Sequence, residues 1–326
     1  MISYNDERII RDCLESIRSQ DYPQSKVSIV MVDGGSTDNT LKIAESYGVE
    51  VLRHPELKNA PQVRGAIVFN HPKTELVVTW CADNRFNEKD CLRRLVEPFA
   101  DDEIVASETF RYAYRPSDPA LSRYFALIGG TDPVAIDLGK ADRAPYDADK
   151  WHSFGKVVDA GRYYKVEFAP DIMFIPTLGM NGFVLRRKCL EAIGDCGNES
   201  HTDVCVRLIR AEYNKFAFAK GVTVAHFIDT PLLSFLKRRL LWASVYSSAN
   251  LKREYFVFTN DDWPRLLWII LTYPTVVFPL LRAIRGFARK PDVAWFLHPV
   301  LCFAFFVGYS YFFLKKTLVS IFSQSQ

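Results

Sequence analysis

The sequence predicts an α/β fold: a mostly parallel sheet with helices on both faces, followed by apolar C-terminal helices. Three observations predict it. From residue 27 to residue 110, short β-type runs alternate with helical patterns, the order that builds parallel sheets. Charge is divided along the chain, because residues 231–316 hold twelve Lys and Arg against four Asp and Glu. That is +8 on this stretch and −5 on the rest of a chain whose total is +3. The basic stretch is also the apolar one, with Leu266 to Leu281 running sixteen residues and Val293 to Leu314 twenty-two residues without a charge.

The elements follow in order. "ISYNDERIIRDCLESIRSQDYP" reads as the stub of a strand, then a helix with Ile9, Ile10, Cys13, Leu14 and Ile17 on one face, then a Tyr-Pro turn. A complete first strand would need more apolar residues before Ser3, which predicts that the chain starts late. "KVSIVMV" is a buried strand; "STDNTLKIAESYG" supplies capping residues, an apolar stripe of Leu41, Ile43 and Ala44, and Gly48 as a stop. "VEVLR" is a strand, Ala60 to Phe69 a helix, "ELVVTW" a strand, Asp90 to Phe99 a helix and "EIVASETF" a strand. In such sheets ligands bind beyond the carboxyl ends of the strands. Asp33 and Asp83 both fall at such ends, although Asp at a strand end also serves turns.

The two long apolar runs predict membrane contact. About 20 residues span a bilayer as a helix, so the second run is long enough to cross. The first reaches only about 24 Å and contains Pro274 and Pro279; it crosses obliquely, re-enters, or lies in the interface. Arg265, Arg282, Arg285, Arg289, Lys290, Lys315 and Lys316 bracket the runs, and Trp263, Trp268, Trp295, Tyr309 and Tyr311 sit in or beside them, as interfacial anchors do. This argues against two buried helices of a soluble core, and it assigns the basic charge to anionic lipid rather than to nucleic acid. Residues 1–20 are charged and amphipathic, with no signal-peptide pattern. Seven Cys without metal-type spacing read as reduced thiols of a cytoplasmic domain.

"SYNDERIIRDCLESIRSQDYP", "SIVMVDGGSTDNT", "CADN", "GMNGFVLRRKCLEAIG" and "HTDVCVRLI" resemble, in order, the successive motifs of glycosyltransferase family 2, inverting enzymes of GT-A fold. The resemblance covers roughly residues 1 to 228. It implies a GT-A domain over 1–230, after which the apolar and basic pattern predicts an amphipathic interfacial segment over 231–262, one or two transmembrane helices over 263–316 and a tail over 317–326. It also implies sugar transfer from a nucleotide-diphosphate donor, UDP-linked in preference to GDP-linked, with a divalent cation, Mg or Mn.

By that resemblance Tyr4 and Asp33 hold the nucleotide base, and the chemistry agrees: an aromatic face stacks a base and a carboxylate accepts from its N–H. Arg64 in "QVRGA" matches a basic residue near the base or diphosphate, and also reads as a solvated helix residue. Asp83 matches the second Asp of the family's DxD motif, the more direct metal ligand. Cys81 stands where the first Asp is expected; a neutral thiol is a poor ligand for Mg²⁺ or Mn²⁺. Asn84 offers a neutral oxygen nearby. Gly179, Asn181 and Gly182 lie ahead of a helical stretch, around the acceptor and donor sugar, where backbone N–H groups can approach closely. His226 matches a histidine near the site in relatives, sometimes a metal ligand, and also reads as structural.

Asp203 matches the family's general base, which takes the proton of the acceptor hydroxyl; it also reads as a helix cap. Thr202 replaces the usual preceding Glu. Only Trp242 of the processive Gln-x-x-Arg-Trp motif is kept in "KRRLLW", so single transfer is expected. The basic tail points to a lipid-linked or membrane-presented acceptor. Two other classes stay open: a catalytically weak or inactive nucleotide-sugar-binding membrane protein, favoured by Cys81 and Thr202, and a sugar nucleotidyltransferase, which would show a basic Gly-rich loop where "SYNDER" stands.

Overall fold

In the computed structural model the apolar run before Asp33 becomes a fully buried strand, β2 (Val30–Asp33), between β1 (Ile2–Ser3) and β3 (Glu50–Arg53), both parallel to it. Residues 1–58, 67, 74–148, 155–172, 175–194, 196, 199–246, 254–255 and 259–324 are described. β4 (Leu76–Thr79) lies beyond β1, joined to it by one parallel bridge between Ile2 and Cys81. Next come β9 (Phe183–Arg186), β6 (Ala106–Tyr112) and β10 (Lys215–His226). β9 is antiparallel to β4 and β6, while β6 and β10 are parallel. The strands β3, β2, β1, β4, β6 and β10 therefore point one way, with β9 reversed among them. The hairpin of β7 (Lys156–Asp159) and β8 (Tyr163–Glu167) adds antiparallel strands beyond β10, and β5 (Asn84–Phe86) pairs with the end of β10.

Strand alternation divides the core into two layers. Phe216 and Phe218 of β10 join one cluster with Val32, Phe183 and Val204, while Ala217 and Ala219 join the other with Met31, Val184 and Leu92. Helix Ile10–Arg18 covers the second face with Ile10, Cys13, Leu14 and Ile17, and helix His201–Arg210 covers the first with Val204, Cys205, Leu208 and Ile209. The helix expected over Asp90–Phe99 is Cys91–Val96 followed by a 3₁₀ turn, Glu97–Ala100. Pro98, which lacks an N–H, accounts for the tightening. The expected helix Ala60–Phe69 lies, apart from Ile67, outside the described residues.

Residues 110–148 join the sheet to the C-terminal helices. Tyr124, Phe125 and Leu127 from helix Ala120–Ile128 share a cluster with Phe235, Tyr273, Trp295, Leu301 and Phe305. Buried and half-buried ion pairs fasten the same boundary: Lys140 to Asp262 at 2.7 Å, Arg123 to Asp292 at 2.8 Å, and Arg282 to both Asp137 and Asp147. The apolar run Leu266–Leu281 is not a single helix. It is divided between Trp263–Thr272 and Val277–Arg289, bent by 96° at a break that contains Pro274 and a left-handed Val276 (φ 62°). Among the described residues one segment, Val293–Lys315, is long and apolar enough to cross a membrane by itself.

Candidate active site

The site collects at the carboxyl edge of the sheet because register aligns the strand ends there. Ser3 of β1 pairs with Asp33 of β2, so Tyr4 follows one strand end and Asp33 closes the next. Asp83 turns out of β4, and its neighbour Asn84 pairs with His226, the last residue of β10. Thr79 pairs with Phe183, which brings the loop carrying Gly179, Asn181 and Gly182 to the same edge.

Tyr4 and Asp33 sit in two laced loops. Asn5 N–H donates to Ser36 Oγ at 2.9 Å, Thr37 N–H to Asn5 Oδ1 at 2.8 Å, and Asn39 N–H to Glu7 at 2.9 Å. Asp33 is fully buried; it accepts from the N–H groups of Gly35 and Ser36 at 2.8 and 2.9 Å and from the Ser36 hydroxyl. Each of its oxygens accepts two contacts from these groups, so in this conformation Asp33 holds the loop. Lys58 Nζ lies over one face of the Tyr4 ring, 4.8 Å from its centroid. Arg64 lies outside the described residues.

Asp83 Oδ2 is 3.3 Å from His226 Nε2. Asp83 Oδ1 and His226 Nδ1 are both buried and have no hydrogen-bond partner among the described residues. Oδ2 and Nε2, which face each other, are the atoms a shared ligand would use, while Oδ1 and Nδ1 are separate unpartnered atoms of these half-buried side chains. Adjacent ligands of one octahedral cation at 2.0–2.1 Å would stand about 3 Å apart, so this pair fits a divalent ion held by one carboxylate and one imidazole. Burial, with the Asp83 charge adding to it, pushes the Cys81 thiol well above its ordinary value, so in this structure Cys81 is a neutral thiol. Its N–H instead donates to Asn84 Oδ1 at 2.9 Å. Cys81→Asp is expected to tighten Mn²⁺-dependent donor binding severalfold, as metal-site changes do; calorimetry with donor and Mn²⁺ measures it.

The glycine loop works differently from the expectation. It leads into β9, not into a helix, and the Gly182 N–H donates to Thr79 O at 3.0 Å instead of facing a ligand. Gly182 (φ 89°) has Val224 and Trp80 against its α-carbon, where a Cβ would meet them at 3.0 and 3.2 Å. Gly179 (φ 108°) lies against the backbone of His201, which sets the start of helix His201–Arg210 beside this loop.

Asn181 carries the polar function of the loop. Asn84 Nδ2 donates to Asn181 Oδ1 at 3.1 Å, Asn181 Nδ2 to Tyr112 Oη at 2.8 Å, and Tyr112 Oη to Asp142 at 2.5 Å. Burial holds the Tyr112 hydroxyl well above its ordinary value, so it stays a donor. Behind it Arg143, fully buried, pairs with fully buried Glu108 at 2.6 Å and donates to Asn181 O at 3.2 Å. Sequence reading missed Tyr112, Asp142, Arg143 and Glu108. The available signal was Glu108 inside an otherwise buried strand, since unpaired buried Glu is rare.

Asp203 is 0% exposed. It closes a capping box with Ser200, and its oxygens accept from the N–H groups of Ser200 (3.2 Å), Glu254 (2.8 Å) and Tyr255 (2.6 Å). The capping reading is therefore realised in this conformation, and the backbone of Glu254 and Tyr255 covers the carboxylate.

Sheet order and a polar cluster beyond its strand ends define the α/β class whose ligands bind at that edge. Residues 1–133 match the family described as Glycosyl transferase family 2. The poly(ribitol-phosphate) beta-N-acetylglucosaminyltransferase TarS of Staphylococcus aureus is 44% identical over 45 residues, 14% of this chain and 8% of TarS. An uncharacterised protein of Methanocaldococcus jannaschii is 30% identical over 101 residues, 29% of this chain and 38% of that protein. Each match thus spans well under half of the curated relative. The solved mannosyltransferase PcManGT from Pyrobaculum calidifontis, in complex with GDP-Man and Mn²⁺, superimposes with a TM-score of 0.51 at 16% identity, covering 93% of this chain and 83% of that one. These findings support a glycosyltransferase.

Proposed function

We propose that the protein is an inverting, metal-dependent glycosyltransferase acting by single transfer. Its donor is a nucleotide-diphosphate sugar, UDP-linked in preference to GDP-linked. Its acceptor is lipid-linked or otherwise presented at a membrane, with the catalytic domain on the cytoplasmic side. The observation that carries this reading is the Asp83–His226 pair, whose facing atoms stand 3.3 Å apart beside the Tyr4–Asp33 loops at the carboxyl edge. The metal-bound, donor-bound state of PcManGT and the activity in the name of TarS support it. Asp83 and His226 would hold a divalent cation there, which would supply positive charge to offset that of the departing diphosphate. Tyr4 stacks the base once Lys58 leaves its face, Asp33 keeps the loop shaped, and Asn181 presents its amide to the sugar. Asp203 takes the acceptor proton after Glu254 and Tyr255 withdraw from it.

A screen of nucleotide sugars that detects released nucleotide, with Mg²⁺ or Mn²⁺, tests the reading. Asp203→Asn is expected to lower turnover by on the order of a hundredfold or more with donor binding kept. Full turnover in the folded variant removes the base assignment. The thiol at Cys81 and the covered Asp203 favour a second reading, a nucleotide-sugar-binding membrane protein with little or no turnover. Calorimetry showing donor binding without turnover under either metal would decide for it.

A further inference from the structure

We propose, on the membrane association inferred above, that the C-terminal helices seat the protein in one leaflet of an anionic bilayer without crossing it. Helices Trp263–Thr272 and Val277–Arg289, of 10 and 13 residues, meet at 96°. At 1.5 Å per residue each arm is about 15 to 20 Å long, against a hydrocarbon core of about 30 Å. Neither arm is free to stand in lipid. The Tyr273 hydroxyl donates to Asp137 at 2.8 Å, and Arg282, in the middle of the second arm, pairs with Asp137 and Asp147 of the catalytic domain. The opposite side of the arms is bare: Leu267, Leu271, Val277, Leu281 and Ile284 are all at least half exposed.

The 28-residue helix Leu297–Gln324 has the same two sides. Leu301 and Phe305 are buried against the catalytic domain, Gly308 lies on Leu240, and the Tyr309 hydroxyl donates to Asp132 at 2.5 Å. Val300, Phe303, Val307, Tyr311 and Leu314, at spacings of three and four, are exposed along the other side. From Leu297 to Tyr309 the helix therefore runs alongside folded protein. Residues 310–324 follow the last of these contacts, at Tyr309. Fifteen residues give about 22 Å, short of the hydrocarbon core, and they include Lys315 and Lys316.

Charge selects lipid as the occupant of this face. Arg285, Arg289 and Lys315 are exposed beside it, and the stretch 231–316 carries +8. A second copy would bring like charge against like, whereas anionic headgroups attract it. A bilayer also accepts an apolar face flanked by basic side chains and exposed Trp263 and Trp268.

The test uses the full chain in sealed vesicles from membranes of cells expressing it. Single cysteines are placed at Lys42→Cys on the catalytic domain, Pro291→Cys after the second arm and Gln324→Cys at the helix end, and an impermeant maleimide is added from one side. All three are expected to label together from the side of Lys42. Labelling of Gln324→Cys from the opposite side overturns the proposal. In flotation with vesicles of equal phosphatidylcholine and phosphatidylglycerol, Arg285→Glu with Arg289→Glu is expected to lower binding on the order of tenfold. Wild-type protein that stays unbound to these vesicles and sediments as a dimer also overturns it. Nucleotide release measured on the same preparations keeps a failure of the membrane seat distinct from a failure of the transferase reading.

Discussion

Asp83→Ala is expected to lower sugar transfer by on the order of a hundred- to a thousandfold, the size of loss when one preorganised group that balances developing charge is removed. The Asp83 side chain is 32% exposed, and its orphaned Oδ1 supports no neighbour, so the variant should keep its thermal midpoint. His226→Ala is expected to behave differently, since an imidazole lost beside a retained carboxylate weakens the ion's hold on the order of ten- to a hundredfold. Turnover should return at high Mn²⁺ in His226→Ala and stay low in Asp83→Ala. Titration of Mn²⁺ against released nucleotide reads both. Equal turnover in wild type and Asp83→Ala removes this pair from the chemistry.

Arg143→Met is expected to destabilise the fold by about 3–5 kcal/mol, because it leaves Glu108 buried without its partner. Arg143 and Glu108 are both fully buried. Burial already pushes the Glu108 carboxyl up to about 8, with the guanidinium pulling the other way. Without Arg143 it rises further. The folded variant then holds a proton that the unfolded chain, titrating near 4.5, has released, so its stability falls as pH rises from that value. Wild type holds the same proton up to about 8, so the gap between variant and wild type should be steady through neutral pH and widen above about 8, as read by urea midpoints across pH. Glu108→Gln in the same chain should restore part of the loss.

Local signals carried much of the architecture. The apolar run before Asp33, the alternation to "EIVASETF" and the stripe Ile10, Cys13, Leu14, Ile17 are visible in sequence because period and propensity are local quantities. The reversed strand β9 was not, since nothing within Phe183–Arg186 reports which strands will flank it. Gly182 read as a cradle for a ligand because its left-handed backbone fits such a role; packing on Trp80 and Val224 demands the same backbone for another reason. Asp83 and His226 were legible separately, but the β5–β10 register that makes them neighbours is a long-range fact. Pro274 and Pro279 marked the apolar run Leu266–Leu281 as interrupted, but not the size of its bend, which Arg282 and Tyr273 fix through contacts with residues more than a hundred positions away.

Tyr112 and Tyr114 are two residues apart in the chain. The first bonds Asp142 and Asn181 at the catalytic edge, and the second donates to Asp292 at 2.6 Å in the C-terminal helices. Two residues of extended chain span about 7 Å. If those helices rest in lipid, the height of the reacting centre above the headgroups is a dimension of the fold, not the reach of a tether. The protein would then act as a gauge, selecting acceptors by how far their hydroxyl stands from the membrane surface.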